Sequence, residues 1–148
     1  MPRPVEIEIS ELRKRVRSAI EKSRRAAADR RARVDAAAAA YSAFLAQIAV
    51  PLTQMLANAL RAEGYTFTVF TPSGGLRLSS AKSGDDFLEF SLDTAAADPT
   101  VMIRVNRSRG RRVVQHERPV KEGTPVEKLT EDDVLHALLE EIGPFVER

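Results

Sequence analysis

Residues 104–120 read RVNRSRGRRVVQHERPV and hold six arginines and one acid. A guanidinium is planar, permanently charged, and presents a fork of N–H donors that meets two phosphate oxygens at once. Arg107, Arg109, Arg111 and Arg112 crowd the middle of the stretch, and Arg104 and Arg118 flank it. The chemistry open to such a cluster is capture of a polyanion, nucleic acid first. A second basic run lies at residues 11–33, where ten Lys and Arg stand against three acids, a net of +7. Arg24, Arg25, Arg30 and Arg31 are its densest part. An arginine-rich helix can follow a phosphate backbone.

The net charge of the 148-residue chain is only +2, but the signs are segregated. Residues 101–121 carry +6 and residues 122–148 carry −6. Such asymmetry points to anionic partners, or to an acidic helix docking on a basic surface of the same fold. Aromatic residues are scarce and none interleaves with the basic runs. That weighs against base stacking as the mode of binding.

Other chemistry finds less support. The chain has no cysteine, so disulfides, thiol catalysis and thiolate metal sites are excluded. His116 and His136 are the only histidines, and neither has the three or four ligands in pattern that a metal site needs. Asp85, Asp86 and Glu89 are the carboxylates closest to a nuclease cluster. On a strand, Asp86 and Glu89 point to opposite faces. Ser79, Ser80 and Ser83 lack a nucleophile elbow. The glycines of PSGG and SGDD suit hairpin turns better than a phosphate-cradling loop running into a helix. No catalytic residue, metal ligand or cofactor is assigned, and the reading is of a non-enzyme.

The elements that must position the arginines follow from hydrophobic periodicity. Val5, Ile7 and Ile9 alternate with Glu6 and Glu8, the period of a short strand. Ser10 then suits a helix N-cap. Little breaks a helix from there to Glu63 except Pro51, which predicts a kink or a new first turn. A helix over residues 11–50 would be about 60 Å long, so part of it should protrude or meet another chain. Val34, Tyr41, Ile48 and Met55 recur every seven residues, with Leu45 and Leu52 in the companion series. This 4-3 seam is the pattern of helices packed lengthwise, and it predicts a homodimer or higher oligomer. The uncharged stretch 36–60 is alanine-rich and holds Gln47, Thr53, Gln54 and Asn58, so a buried helix is expected rather than a membrane span. The start MPRPVEIEIS is charged and does not read as a secretory signal, so a cytoplasmic location is expected.

Residues 65–120 read as an antiparallel meander. Leu76 and Leu78, then Leu88, Phe90 and Leu92, then Val101, Ile103 and Val105 face inward. Arg77, Ser79, Glu89, Ser91 and Arg104 face outward, giving a half-polar sheet. Residues 106–110, NRSRG, read as the loop that joins the last two strands, a mobile tip. Thr130 with Asp133 resembles a capping box opening a helix over 131–142, closed by Gly143-Pro144.

The expected architecture is α+β. An N-terminal strand and basic helical arm occupy 1–33. An α+β domain occupies 34–148, with a helix at 34–63, a four- to five-stranded meander at 65–120 and a short C-terminal helix. The expected function is a homo-oligomeric binding protein that engages an anionic partner, DNA or RNA. Two alternatives are an adaptor or chaperone meeting an acidic protein surface, and a small ligand sensor or enzyme at the polar sheet face.

Overall fold

The computed structural model describes residues 4–95 and 97–147. The chain divides into two compact units, Met1–Asp35 and Ala36–Arg148.

In the first unit, residues 4–8 form no strand. Val5 stands 86% exposed, because alternation alone cannot hold a strand that has no neighbour to pair with. Helix α1 (Ile9–Phe44) begins one residue before Ser10. Glu8 O accepts the Leu12 N–H at 2.9 Å, so Glu8 occupies the cap position expected of Ser10. Alanine and arginine carry the rest of this helix.

The second unit starts in the last turns of α1. A single π turn (Leu45–Ala49) separates α1 from α2 (Val50–Ala62). Pro51 is the cause: it has no N–H to offer residue 47, and it sits in the first turn of α2. The Val50 N–H reaches back five residues to Leu45 O. The helical path therefore widens instead of kinking sharply or stopping. Gly64 ends it at φ +94°, a conformation glycine adopts without penalty.

Five antiparallel strands follow in sequence order: β1 (Phe67–Phe70), β2 (Leu76–Ser80), β3 (Phe87–Asp93), β4 (Thr100–Arg109) and β5 (Arg112–Pro119). The register places Leu78 opposite Leu88, Leu88 opposite Val105, and Phe90 opposite Ile103. These side chains form one apolar face, each nearly or fully buried. α2 packs on β1 and β2. α3 (Glu131–Ile142) buries Val134, Ala137, Leu138 and Ile142 in the same core and packs against the π turn. Thr130 and Asp133 form the reciprocal capping box. Phe145 docks edge-on against Phe67 at 6.3 Å. The result is a two-layer α+β unit with helices on one sheet face.

The helical seam is used inside this unit. Tyr41 is buried in the core, and Leu45, Ile48 and Leu52 pack against it. A 4-3 apolar pattern suits a sheet surface as well as a second helix, so it does not by itself call for another chain. Met55, at the end of the seam, points away and is 67% exposed. Val34, at its start, belongs to the first unit and is partly buried.

Candidate nucleic-acid interface

The β4–β5 hairpin is longer than its sequence suggests. β4 runs through Ser108 to Arg109, and only Gly110 and Arg111 turn the chain. Gly110 has φ +60° and Arg111 has no positive φ, the pattern of a two-residue type II′ turn. NRSRG is therefore mostly strand, and the expected mobile tip is a tight turn. β3 pairs with β4 only as far as Asn106. Beyond that point residues 107–114 pair with each other alone, as a two-stranded ribbon.

The root of the ribbon is braced. Asp86 Oδ1 accepts both the backbone N–H and the hydroxyl of Ser108, at 2.7 and 3.0 Å. Asn106 is 4% exposed, donates to Asp85 O and accepts from Gln115. These bonds hold the ribbon in register where β3 stops supporting it.

The ribbon's arginines are arranged by strand parity. Arg107, Arg109 and Arg112 share one face with Val114, and Arg111 occupies the turn. Arg109 and Arg112 stand directly opposite each other. None of these four arginines has a carboxylate partner among the described residues. Val113 and Val114 are exposed beside them.

Arg104 and Arg118 are placed differently, and both are committed within the chain. Arg118 donates to Glu141 at 2.6 Å and to Glu140 at 2.7 Å. Arg104 donates to Glu89 at 3.0 Å, and Arg77 donates to the other oxygen of Glu89 at 2.7 Å. Arg77 also lies 3.9 Å over the Phe87 ring, a cation–π contact on the open sheet face. These two flanking arginines are thus ion-paired within the chain, unlike Arg107, Arg109, Arg111 and Arg112. Sequence reasoning missed Glu89 and Glu141 as their partners. The signal for Glu89 lay in the register: Arg77, Glu89, Arg104 and Glu117 stand in one row across four strands.

On the arm, Arg24, Arg25, Arg30 and Arg31 are exposed and unpaired among the described residues. Among the described residues, Arg15 alone of the ten cations at 11–33 forms an ion pair, with Glu11 at 3.4 Å.

The remaining polar residues build structure. Burial pushes the Glu141 carboxyl upward, but hydrogen bonds from Arg118 and His116 outweigh it and hold the group below the usual range. The Asp133 carboxyl is likewise lowered, first by the Thr130 backbone N–H. His136 bonds Glu140 one turn along, not Asp132 or Asp133. Asp86 and Glu89 are taken up by Ser108 and the two arginines, so they do not converge with Asp85. Among the described residues no metal-holding cluster forms. Comparison with protein-family models, with curated proteins and with solved structures finds no match to this chain.

Proposed function

We propose that the protein binds nucleic acid as a polyanion, through the β4–β5 ribbon, with the basic arm supplying further phosphate contacts. The carrying observation is the Arg109–Arg112 pair. Elsewhere on the sheet cross-strand neighbours alternate in sign, as in Arg77, Glu89, Arg104 and Glu117. At the ribbon end two arginines face each other, neither paired with a carboxylate among the described residues, an arrangement that is destabilising unless an anion sits between them. A phosphate relieves that repulsion and accepts from both forks.

The same geometry favours duplex backbone over single strands. A two-stranded ribbon fits a major groove about 12 Å wide. The ribbon carries valines and no aromatic ring, so it offers no stacking platform. Burial of Tyr41, Phe44, Ala49, Thr53, Leu56 and Ala57 in the second unit supports a core role for this part of the long apolar helix.

Fluorescence anisotropy with labelled duplex and single-stranded DNA and RNA tests this reading. The comparison is wild type against Arg107→Ala/Arg109→Ala/Arg111→Ala/Arg112→Ala. Wild type should bind duplexes at micromolar concentration or tighter in about 50 mM salt, and more weakly as salt rises. The variant should lose about 3–4 from the slope of log K against log salt, near 0.9 per phosphate contact. Equal binding by wild type and variant, or no binding at low salt, refutes the proposal.

A further inference from the structure

We infer that the arm of one copy docks on the C-terminal helix of a second copy, pairing an exposed basic stripe with an exposed acidic one. The donor surface is on α1. Leu12, Val16 and Ile20 follow one another at single-turn spacing, and each is about half exposed, at 51%, 49% and 46%. Arg13, Arg17 and Arg24 line the same shallow groove. The receiving surface is on α3. Val120, Leu135 and Leu139 line a groove of about 400 Å³ together with Asp132, Asp133, Lys121 and His136. Leu139 is 52% exposed although its neighbour Leu138 is fully buried. Asp132 and the adjacent Glu131 have no cationic partner among the described residues.

The two surfaces match in spacing and in sign. Leu135 and Leu139 repeat at one turn, as the arm's stripe does, so side chains of one helix can seat between those of the other. The arm groove holds Arg13, Arg17 and Arg24 against Glu21, and the receiving face offers Glu131 and Asp132, which are unpaired among the described residues, while Asp133 is taken by Lys121. Pairing two arms with each other would instead bring +7 against +7. The first unit by itself leaves Leu12, Val16 and Ile20 open, the second unit by itself leaves Leu139 open, and a second copy supplies a cover for each. Exchange about a two-fold axis then forms each contact twice, the closed arrangement favoured by symmetric dimers.

Because the native chain has no cysteine, disulfide trapping reads the contact directly. Val16→Cys and Leu139→Cys are made in separate chains, one with a mass tag, and both are checked by circular dichroism for an unchanged fold. They are then mixed and oxidised. The expected main product joins the two different chains, several-fold over either like-with-like product. It should fall at about 1 M salt, where screening acts within ~3 Å. A dominant Val16→Cys homodimer overturns the inference by showing arm–arm pairing. A closed monomer from the double variant at high dilution overturns it by placing the contact within one chain. Absence of cross-linking, with wild type monomeric by light scattering, overturns it by showing that the arm does not dock on a second copy.

Discussion

Arg118 on β5 and Glu141 on α3 meet at 2.6 Å across a gap of 23 residues, and this bond ties the last helix to the edge of the sheet. His116, two residues back on the same face, reaches the other Glu141 oxygen at 2.9 Å. The Glu141 side chain is 12% exposed, so its carboxylate is largely removed from water and depends on these donors.

Glu141→Gln should therefore destabilise the fold by about 1–2 kcal/mol at neutral pH, the value of a charge-assisted bond reduced for the part-exposed arginine. The carboxyl is lowered in the folded state, so its contribution is present above the ordinary glutamate value and is lost as pH falls through the folded value. Urea unfolding of wild type and variant should show a constant gap at neutral pH that closes on acidification. A gap that does not narrow as pH falls below the ordinary glutamate range would mean the bond is not what the variant removes.

Tyr41 sets the alkaline limit. Burial, and secondarily the charge of Glu89, push its hydroxyl up to about 12, and the hydroxyl has no hydrogen-bond partner among the described residues. A folded-state value above the unfolded one gives stability that is full below the unfolded value and is lost as pH rises through the folded one. Wild type should lose stability progressively from about pH 10. Tyr41→Phe should not show that loss through this residue. At pH 7 it should be neutral or stabilising by up to about 1 kcal/mol, since it deletes an unsatisfied buried polar atom. Chemical denaturation across the alkaline range checks both statements. A clear loss at pH 7 would reveal a hydrogen bond that the phenol makes.

Most of the sheet was legible because one face is apolar and the period of 2 survives intact in Leu76–Leu78, Leu88–Phe90–Leu92 and Val101–Ile103–Val105. The Thr130 capping box was legible because its partners lie three residues apart. What failed depended on distant context. Val5, Ile7 and Ile9 have the alternation of a strand, but among the described residues no strand pairs with them. Pro51 does stand in the first turn of a new helix, one of the two outcomes its position predicted, and only the π turn before it was not legible. The seam from Tyr41 to Leu52 has a helix-pair pattern and is filled by the sheet. In the site, the cluster of arginines was plain, but the sequence could not separate paired from unpaired ones. Glu89 is 15 residues from Arg104, and Glu141 is 23 from Arg118.

That separation is itself testable. Arg118→Ala should lower the melting temperature and leave duplex affinity within about twofold, since its guanidinium already serves Glu140 and Glu141. Alanine at Arg109 or Arg112 should do the reverse. Each should weaken binding, and each should leave thermal stability unchanged or slightly raised by removing a like-charge cross-strand pair. Melting curves and anisotropy on the same three variants decide it. Loss of binding in Arg118→Ala with the ribbon variants unaffected would move the phosphate surface to β5 and α3.

Gly110 fixes how the ribbon arginines are presented. At φ +60° in the first central position of the turn, any residue with a Cβ is strained, although no atom lies within 4 Å of the place the Cβ would fill. Gly110→Ala should cost about 1–2 kcal/mol locally through backbone strain. The ribbon is supported by β3 only up to Asn106, so that cost should appear as faster amide exchange in residues 107–114 and leave the core strands protected. Duplex affinity should fall severalfold without any change in charge, because fraying spoils the opposition of Arg109 and Arg112. Exchange measured by mass spectrometry, alongside anisotropy, separates geometry from charge. Unchanged affinity with a frayed ribbon would show that the arginines act as a diffuse charge and that the register of the turn is irrelevant to capture.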